Sequence, residues 1–149
     1  MARRTDDSRK DPATRRPRVY VDTSALIAFA DRSDSHHSLF RRLFADPPPL
    51  VTTTLVIAEG HGWFLRRYDR GKALQFLAMV ESMTPLSIVA VGPREQAAAV
   101  ALLRRFADQD LTLADAVGLH LGRARRVTEI WSTDRHLGLT GVPLAIDRG

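Results

Sequence analysis

Apolar residues fall into short runs, separated by longer stretches with helical spacing. Residues 18–21 (Arg-Val-Tyr-Val) make a short apolar run that stops at Asp22, which predicts a buried strand. Ala25 to Ala30 then predicts a helix. In residues 33–44 the apolar positions Leu39, Phe40, Leu43 and Phe44 share one helix face, and Pro47-Pro48-Pro49 ends that segment. Leu50 to Thr53 predicts a second strand, followed by helices over 55–68 and 72–83, with Asp69-Arg70-Gly71 as the break. Ser87 to Val91 predicts a third strand. Pro93 opens a helix to about Phe106, where proline in the first turn is tolerated. A helix over 112–125 has Arg123, Arg125 and Arg126 near its C-terminal dipole. Val127 to Ser132 is the fourth predicted strand and Pro143 to Ile146 a short fifth. Short apolar strands alternating with helices predict an α/β fold: a three-layer α/β/α sandwich around a mostly parallel sheet of about five strands.

Composition narrows the class. The 149 residues are enough for one domain, and 44% apolar with 26% charged content is that of a globular protein. No apolar run reaches the ~20 residues of a membrane span, and the start Met-Ala-Arg-Arg has no apolar signal region. There is no cysteine, so disulfides and thiolate metal sites are excluded, and a cytoplasmic location is expected. The net charge of +5 suggests nucleic acid, but its position matters. Residues 1–18 hold Arg3, Arg4, Arg9, Lys10, Arg15, Arg16 and Arg18 against Asp6, Asp7 and Asp11, which leaves the rest of the chain near neutral. Residues 1–17 are therefore expected to be a basic, disordered tail, and 18–149 the folded domain. Within that domain the pairs Arg41–Arg42, Arg66–Arg67, Arg104–Arg105 and Arg125–Arg126 read first as solvated helix faces.

Four acids stand against apolar sequence. Asp22 ends Val-Tyr-Val, Glu59 follows Leu-Val-Ile-Ala, Asp115 lies inside Leu-Thr-Leu-Ala-Asp-Ala-Val, and Asp134 follows Ile-Trp-Ser-Thr. A carboxylate beside buried elements needs a hydrogen bond, an ion pair or a bound cation. In open α/β sheets, ligand sites form beyond the C-terminal ends of the strands. Asp22 and Asp134 follow strands, and Glu59 and Asp115 lie in the first turns of helices, so one sheet edge is able to gather all four. Clustered carboxylates repel unless a divalent cation neutralises them, and oxygen-only ligation favours Mg²⁺ or Mn²⁺. Such a site suits phosphodiester hydrolysis by an activated water. Each acid alone also has a structural explanation. Asp22 is placed to cap the next helix, Thr112-x-x-Asp115 matches a capping box, Asp134 is able to start a turn, and Glu59 fits a surface stripe. His36, His37, His61, His120 and His136 show no metal-ligand spacing. Gly60 and Gly62, which flank His61, suggest close helix packing rather than chemistry.

Taken in order, the segments Val19-Tyr-Val-Asp22-Thr-Ser-Ala-Leu26, Thr53-Thr-Leu-Val-Ile-Ala-Glu59, Leu111-Thr-Leu-Ala-Asp115-Ala116 and Ile130-Trp-Ser-Thr-Asp134-Arg-His136 resemble the four acidic segments of PIN-domain ribonucleases, especially VapC-type toxins of bacterial toxin–antitoxin pairs. The resemblance runs from about Arg18 to Ile146; the basic tail is longer than the family's usual start. It implies that Asp22, Glu59, Asp115 and Asp134 bind one or two Mg²⁺ or Mn²⁺ ions and cut RNA without a side-chain nucleophile. Asp134 stands where the family varies most. Ser24 and Ser132 fall where supporting hydroxyls occur, and Asp108 and Asp110 read as solvated loop residues. The resemblance also implies a homodimer and a cognate antitoxin. The alternatives are a solitary PIN-fold nuclease and a PIN-like module that binds RNA without cutting it. A receiver-type phosphoacceptor domain needs a lysine at a late strand end, whereas Lys10 and Lys72 are the only lysines. A haloacid-dehalogenase-type phosphatase needs an acid two residues after the first, where Ser24 stands.

Overall fold

The structure, a computed structural model, describes residues 17–148. The basic tail up to Arg16 lies outside the described residues. Four strands form the sheet: β1 (Val19–Val21), β2 (Leu50–Thr53), β3 (Leu86–Val89) and β4 (Glu129–Trp131). Their order is β3-β2-β1-β4 and every pairing is parallel. Six helices connect them: α1 (Thr23–Ala30), α2 (His37–Leu43), α3 (Thr54–Arg67), α4 (Arg70–Ser82), α5 (Pro93–Arg105) and α6 (Leu113–Ala124).

Strand alternation divides the core between two faces. Val21 is in register with Trp131 and Tyr20 with Ile130. The Trp131 ring packs edge-on against Phe44, which follows α2, at 4.9 Å, and Phe44 packs on Phe29 of α1 at 4.7 Å. On the other face Tyr20 and Ile130 lie against α6 at its glycines: a Cβ at Gly118 would meet the Tyr20 ring, and one at Gly122 would reach Ile130 and Val127. Helix α5 covers α6 through Ala99 against Ala116, Val117 and Leu121. The expected three layers are present.

The expected fifth strand is replaced by one parallel bridge, Ile130 to Leu144, and a 3-10 turn over Ala145–Arg148. Pro143 has no N–H to give to a ladder. Its carbonyl accepts from Ile130 N at 2.9 Å, and the Asp147 amide then bonds back to the Leu144 carbonyl, which turns the chain out of the sheet. Gly60 has a packing role. A Cβ there would stand 2.3 Å from the Phe76 ring, so its absence lets α3 and α4 approach.

Candidate active site

Consecutive connections leave β1 in opposite directions across this sheet. The chain passes from β1 outward to β2 and β3, then returns to the far side of β1 as β4. The crevice between the C-terminal ends of β1 and β4 is therefore the topological switch point, where α/β folds bind ligands. Asp22 sits in it. Its amide donates to the Trp131 carbonyl at 2.9 Å, which anchors the residue to the last rung of the sheet.

The Asp22 carboxylate is almost wholly buried, at 4% exposure. Two hydroxyls reach the same oxygen: Ser24 Oγ donates to Oδ2 at 2.8 Å and Ser132 Oγ at 2.9 Å. The two serine oxygens lie 3.1 Å apart. Ser24 Oγ in turn accepts from the Thr133 amide at 2.9 Å, and Ser132 Oγ from the Asp134 amide at 2.9 Å. Backbone N–H groups beyond β4 thus aim both hydroxyls at one carboxylate. Burial raises the Asp22 carboxyl to about 6, the serine hydroxyls oppose that rise, and the nearby Asp115 carboxylate adds to it.

Asp115 is also buried, in the first turn of α6. Its carboxylate accepts from the Thr112 amide at 3.0 Å, while its own amide donates to Thr112 Oγ1 at 3.1 Å. The capping box read in the sequence is present. The same carboxyl is nevertheless raised, by burial first, with Thr112 opposing, Asp134 adding and His136 opposing. A cap therefore coexists with a strained charge.

Asp134 is half-buried and caps the 3-10 turn over Arg135–Gly138. Its Oδ1 accepts from the His136 amide at 2.9 Å and lies 2.8 Å from His136 Nδ1. Glu59 is exposed on α3, and Thr23 Oγ1 donates to its Oε1 at 2.8 Å. Tyr20 lies beneath them. Its hydroxyl is fully buried and pushed up by burial first, then by the charges of Asp22, Asp115 and Glu59. Thr53 stands near it, but not in hydrogen-bond geometry.

The structure thus brings the four sequence-derived acids to one sheet edge. Asp115 acts on Asp22, Asp134 acts on Asp115, and Glu59 is hydrogen-bonded to Thr23, the residue next to Asp22. It does not close them into a cage: among the described residues no three His, Asp or Glu side chains converge tightly enough to hold a metal ion. Ser24 and Ser132 both contact Asp22. Asp108 and Asp110 are exposed, as expected of loop residues. Thr23, Thr112 and His136 were not among the sequence-derived site residues. Thr112 was visible only as half of a capping motif, and Thr23 bonds a residue 36 positions away.

The donor chemistry, though not the spacing, suits a hard divalent cation. All donors at the strand ends are carboxylate or hydroxyl oxygens. Among the described residues Asp22, Glu59 and Asp115 have no cationic side-chain partner within ion-pair distance. The Asp22 carboxyl is raised mainly by its burial, and a cation bound beside it would oppose that rise. A cleft of about 700 Å³, lined by Val19, Arg42, Glu129, Trp131 and Arg148 among others, holds none of the four acids.

Comparison with known proteins agrees with this geometry. The family profile described as PIN domain matches residues 19–141. The crystal structure of VapC20 from Mycobacterium tuberculosis, described as a sarcin-ricin loop cleaving toxin, superposes with a TM-score of 0.77 at 24% identity, over 83% of this chain and 95% of that one. A toxin-antitoxin complex from Klebsiella pneumoniae superposes with a TM-score of 0.58 at 21% identity, over 85% of this chain and 94% of that one. At these identities the likeness is one of fold. No curated protein sequence matches the chain.

Proposed function

The chain belongs to the PIN domain family, and from that premise we propose that it is a metal-dependent endoribonuclease acting as the toxin of a type II toxin–antitoxin pair. One observation carries the reading: a carboxylate at the strand switch point, raised by its burial first and by the neighbouring Asp115 after that, with no cationic side chain within ion-pair distance among the described residues. Asp22, Glu59, Asp115 and Asp134 are the proposed ligands of Mg²⁺ or Mn²⁺. Ser24 and Ser132 are the supporting hydroxyls, and the nuclease domain spans 18–149. When bound, the cation lowers the pKa of water and stabilises charge on the phosphate.

The chain's own residues supply the rest. Ser24 and Ser132 fix the Asp22 carboxylate by its Oδ2 oxygen, leaving it little rotational freedom. Thr112 holds Asp115, Thr23 holds Glu59 and His136 holds Asp134. Arginines on the domain surface bind the RNA backbone, so affinity falls with salt. The structural neighbours are a sarcin-ricin loop cleaving toxin and a toxin-antitoxin complex. Transferred here, they support an RNA substrate and an antitoxin partner, and the working form is proposed to be a cytoplasmic homodimer.

Cleavage of a labelled mixed-sequence RNA with Mg²⁺, with Mn²⁺ and with EDTA tests the proposal, run beside Asp22→Asn. Metal-dependent cuts that vanish in the variant are expected. Folded protein that binds RNA and Mn²⁺ without cutting any RNA supplied would favour a non-cleaving RNA-binding module.

A further inference from the structure

Tyr20 is a buried polar residue that the proposed chemistry leaves unused. It lies two positions before Asp22 on β1, and its side chain is wholly buried against α6. The ring occupies a notch made by Gly118. A Cβ at that position would stand 2.7 Å from the ring and 2.9 Å from the hydroxyl oxygen. Gly118 follows Asp115 by three residues on α6, so notch and acid share one helix face. The glycine therefore admits a tyrosine whose polar end reaches the helix that carries a proposed ligand.

That polar end lacks a hydrogen bond of good geometry, although Thr53 lies near enough to oppose the rise of its pKa. The Tyr20 hydroxyl has no hydrogen-bond partner among the described residues, a distinction it shares with Thr140 Oγ1. A buried hydroxyl without a partner is unfavourable, and phenylalanine would fill the same space without that cost. The charges of Asp22, Asp115 and Glu59 all act on it. Among the described residues no three acid or histidine side chains converge on one point.

Resting on the nuclease reading, we propose that Tyr20 is a positioning residue whose hydroxyl donates a hydrogen bond to the Asp22–Asp115 pair when the pair closes on a divalent cation. The unsatisfied hydroxyl of the open site becomes satisfied in the closed one, which favours closure. The residue touches neither substrate nor metal.

The test is Tyr20→Phe in the full chain, which keeps the ring in the Gly118 notch and removes one oxygen. Thermal unfolding in EDTA checks the fold, and a melting temperature equal to or above the wild type is expected. Mn²⁺ affinity by calorimetry is expected to fall about tenfold, as for other residues that support metal ligands. On RNA the kcat is expected to fall by a similar factor with KM unchanged. Thr140→Val removes the other unpaired hydroxyl and is expected to leave Mn²⁺ affinity as it was. Tyr20→Phe protein with wild-type Mn²⁺ affinity and kcat overturns the proposal, as does an equal loss in Thr140→Val. Wild-type protein that binds no Mn²⁺ overturns the nuclease reading and this one with it.

Discussion

Replacing Asp22 with asparagine is expected to stabilise the metal-free protein while abolishing its activity. Burial and the neighbouring Asp115 raise the Asp22 carboxyl from 3.8 to about 6. A tenfold change in proton affinity is worth about 1.4 kcal/mol, so ionised Asp22 costs the fold about 3 kcal/mol at pH 7. The folded state holds this proton more tightly than the unfolded chain does. The cost is therefore absent below about pH 4, grows as pH rises from there to about 6, and is complete above it. Asparagine removes the charge and keeps one acceptor oxygen for Ser24 and Ser132, but its amide nitrogen replaces the other oxygen. That mismatch reduces the net gain to about 1–2 kcal/mol, or roughly 3–8 °C in Tm for a domain of this size. Thermal unfolding of both proteins in EDTA across pH 5 to 7.5 measures it. The charge contribution should fall to about half by pH 5, and Mg²⁺ should raise the Tm of the wild type only. An Asp22→Asn protein less stable than wild type at pH 7 in EDTA, or a difference that ignores pH, would refute the argument.

Four further substitutions probe the side-chain and backbone supports. Ser132→Ala removes the 2.9 Å donor to Asp22 Oδ2, so the Asp22 carboxyl should climb further above about 6 in an NMR titration, with a loss of about 1–3 kcal/mol at pH 7. Gly60→Ala places a methyl 2.3 Å from the Phe76 ring and should cost about 1–3 kcal/mol in chemical denaturation. Gly62→Ala meets only the guanidinium end of Arg66, at 3.0 Å, so it should gain up to about 1 kcal/mol from helix propensity. Arg126, just beyond α6, has a φ of 52°, and Arg126→Gly should raise stability by about 1 kcal/mol.

The sequence was most legible where one local pattern carried the information. β1 is a continuous apolar run and β2 a Leu-Val pair followed by two β-branched threonines, both buried throughout, and their positions follow from that. Pro143 to Ile146 has the same local look, but only Leu144 bridges to the sheet. Whether such a run stays in register depends on Ile130 and on the turn that follows, neither of which is a local property. The four acids stood out because a charge beside apolar residues demands an explanation. Among their partners, Ser24 and Ser132 were expected only through the family resemblance and Thr112 only as half of a capping motif, and no local pattern joined the others to the acids they touch. Thr23 meets Glu59, and Ser132 meets Asp22, only after α3 and β4 have docked on β1. His136 reaches Asp134 only because the chain enters a 3-10 turn there.

The fold places an unfavourable buried charge at a point held by several hydrogen bonds. Asp22 is held by the Trp131 carbonyl through its amide and by two serines through its side chain, which oppose its turning out to water. A core selected for stability alone would carry a neutral residue there. The same logic applies one turn into α6, where Asp115 gains a cap but keeps a raised carboxyl. The cost falls on two residues from different elements that face one crevice, whereas Asp134 and Glu59 remain partly or fully exposed. A divalent cation in that crevice would remove the cost from both buried acids at once. Metal binding should therefore stabilise the fold mainly through Asp22 and Asp115. In a double-mutant cycle, the Mg²⁺-induced rise in Tm should be lost with either Asp22→Asn or Asp115→Asn, and combining them should take away nothing more. Separate, additive losses would mean that the two acids serve independent sites.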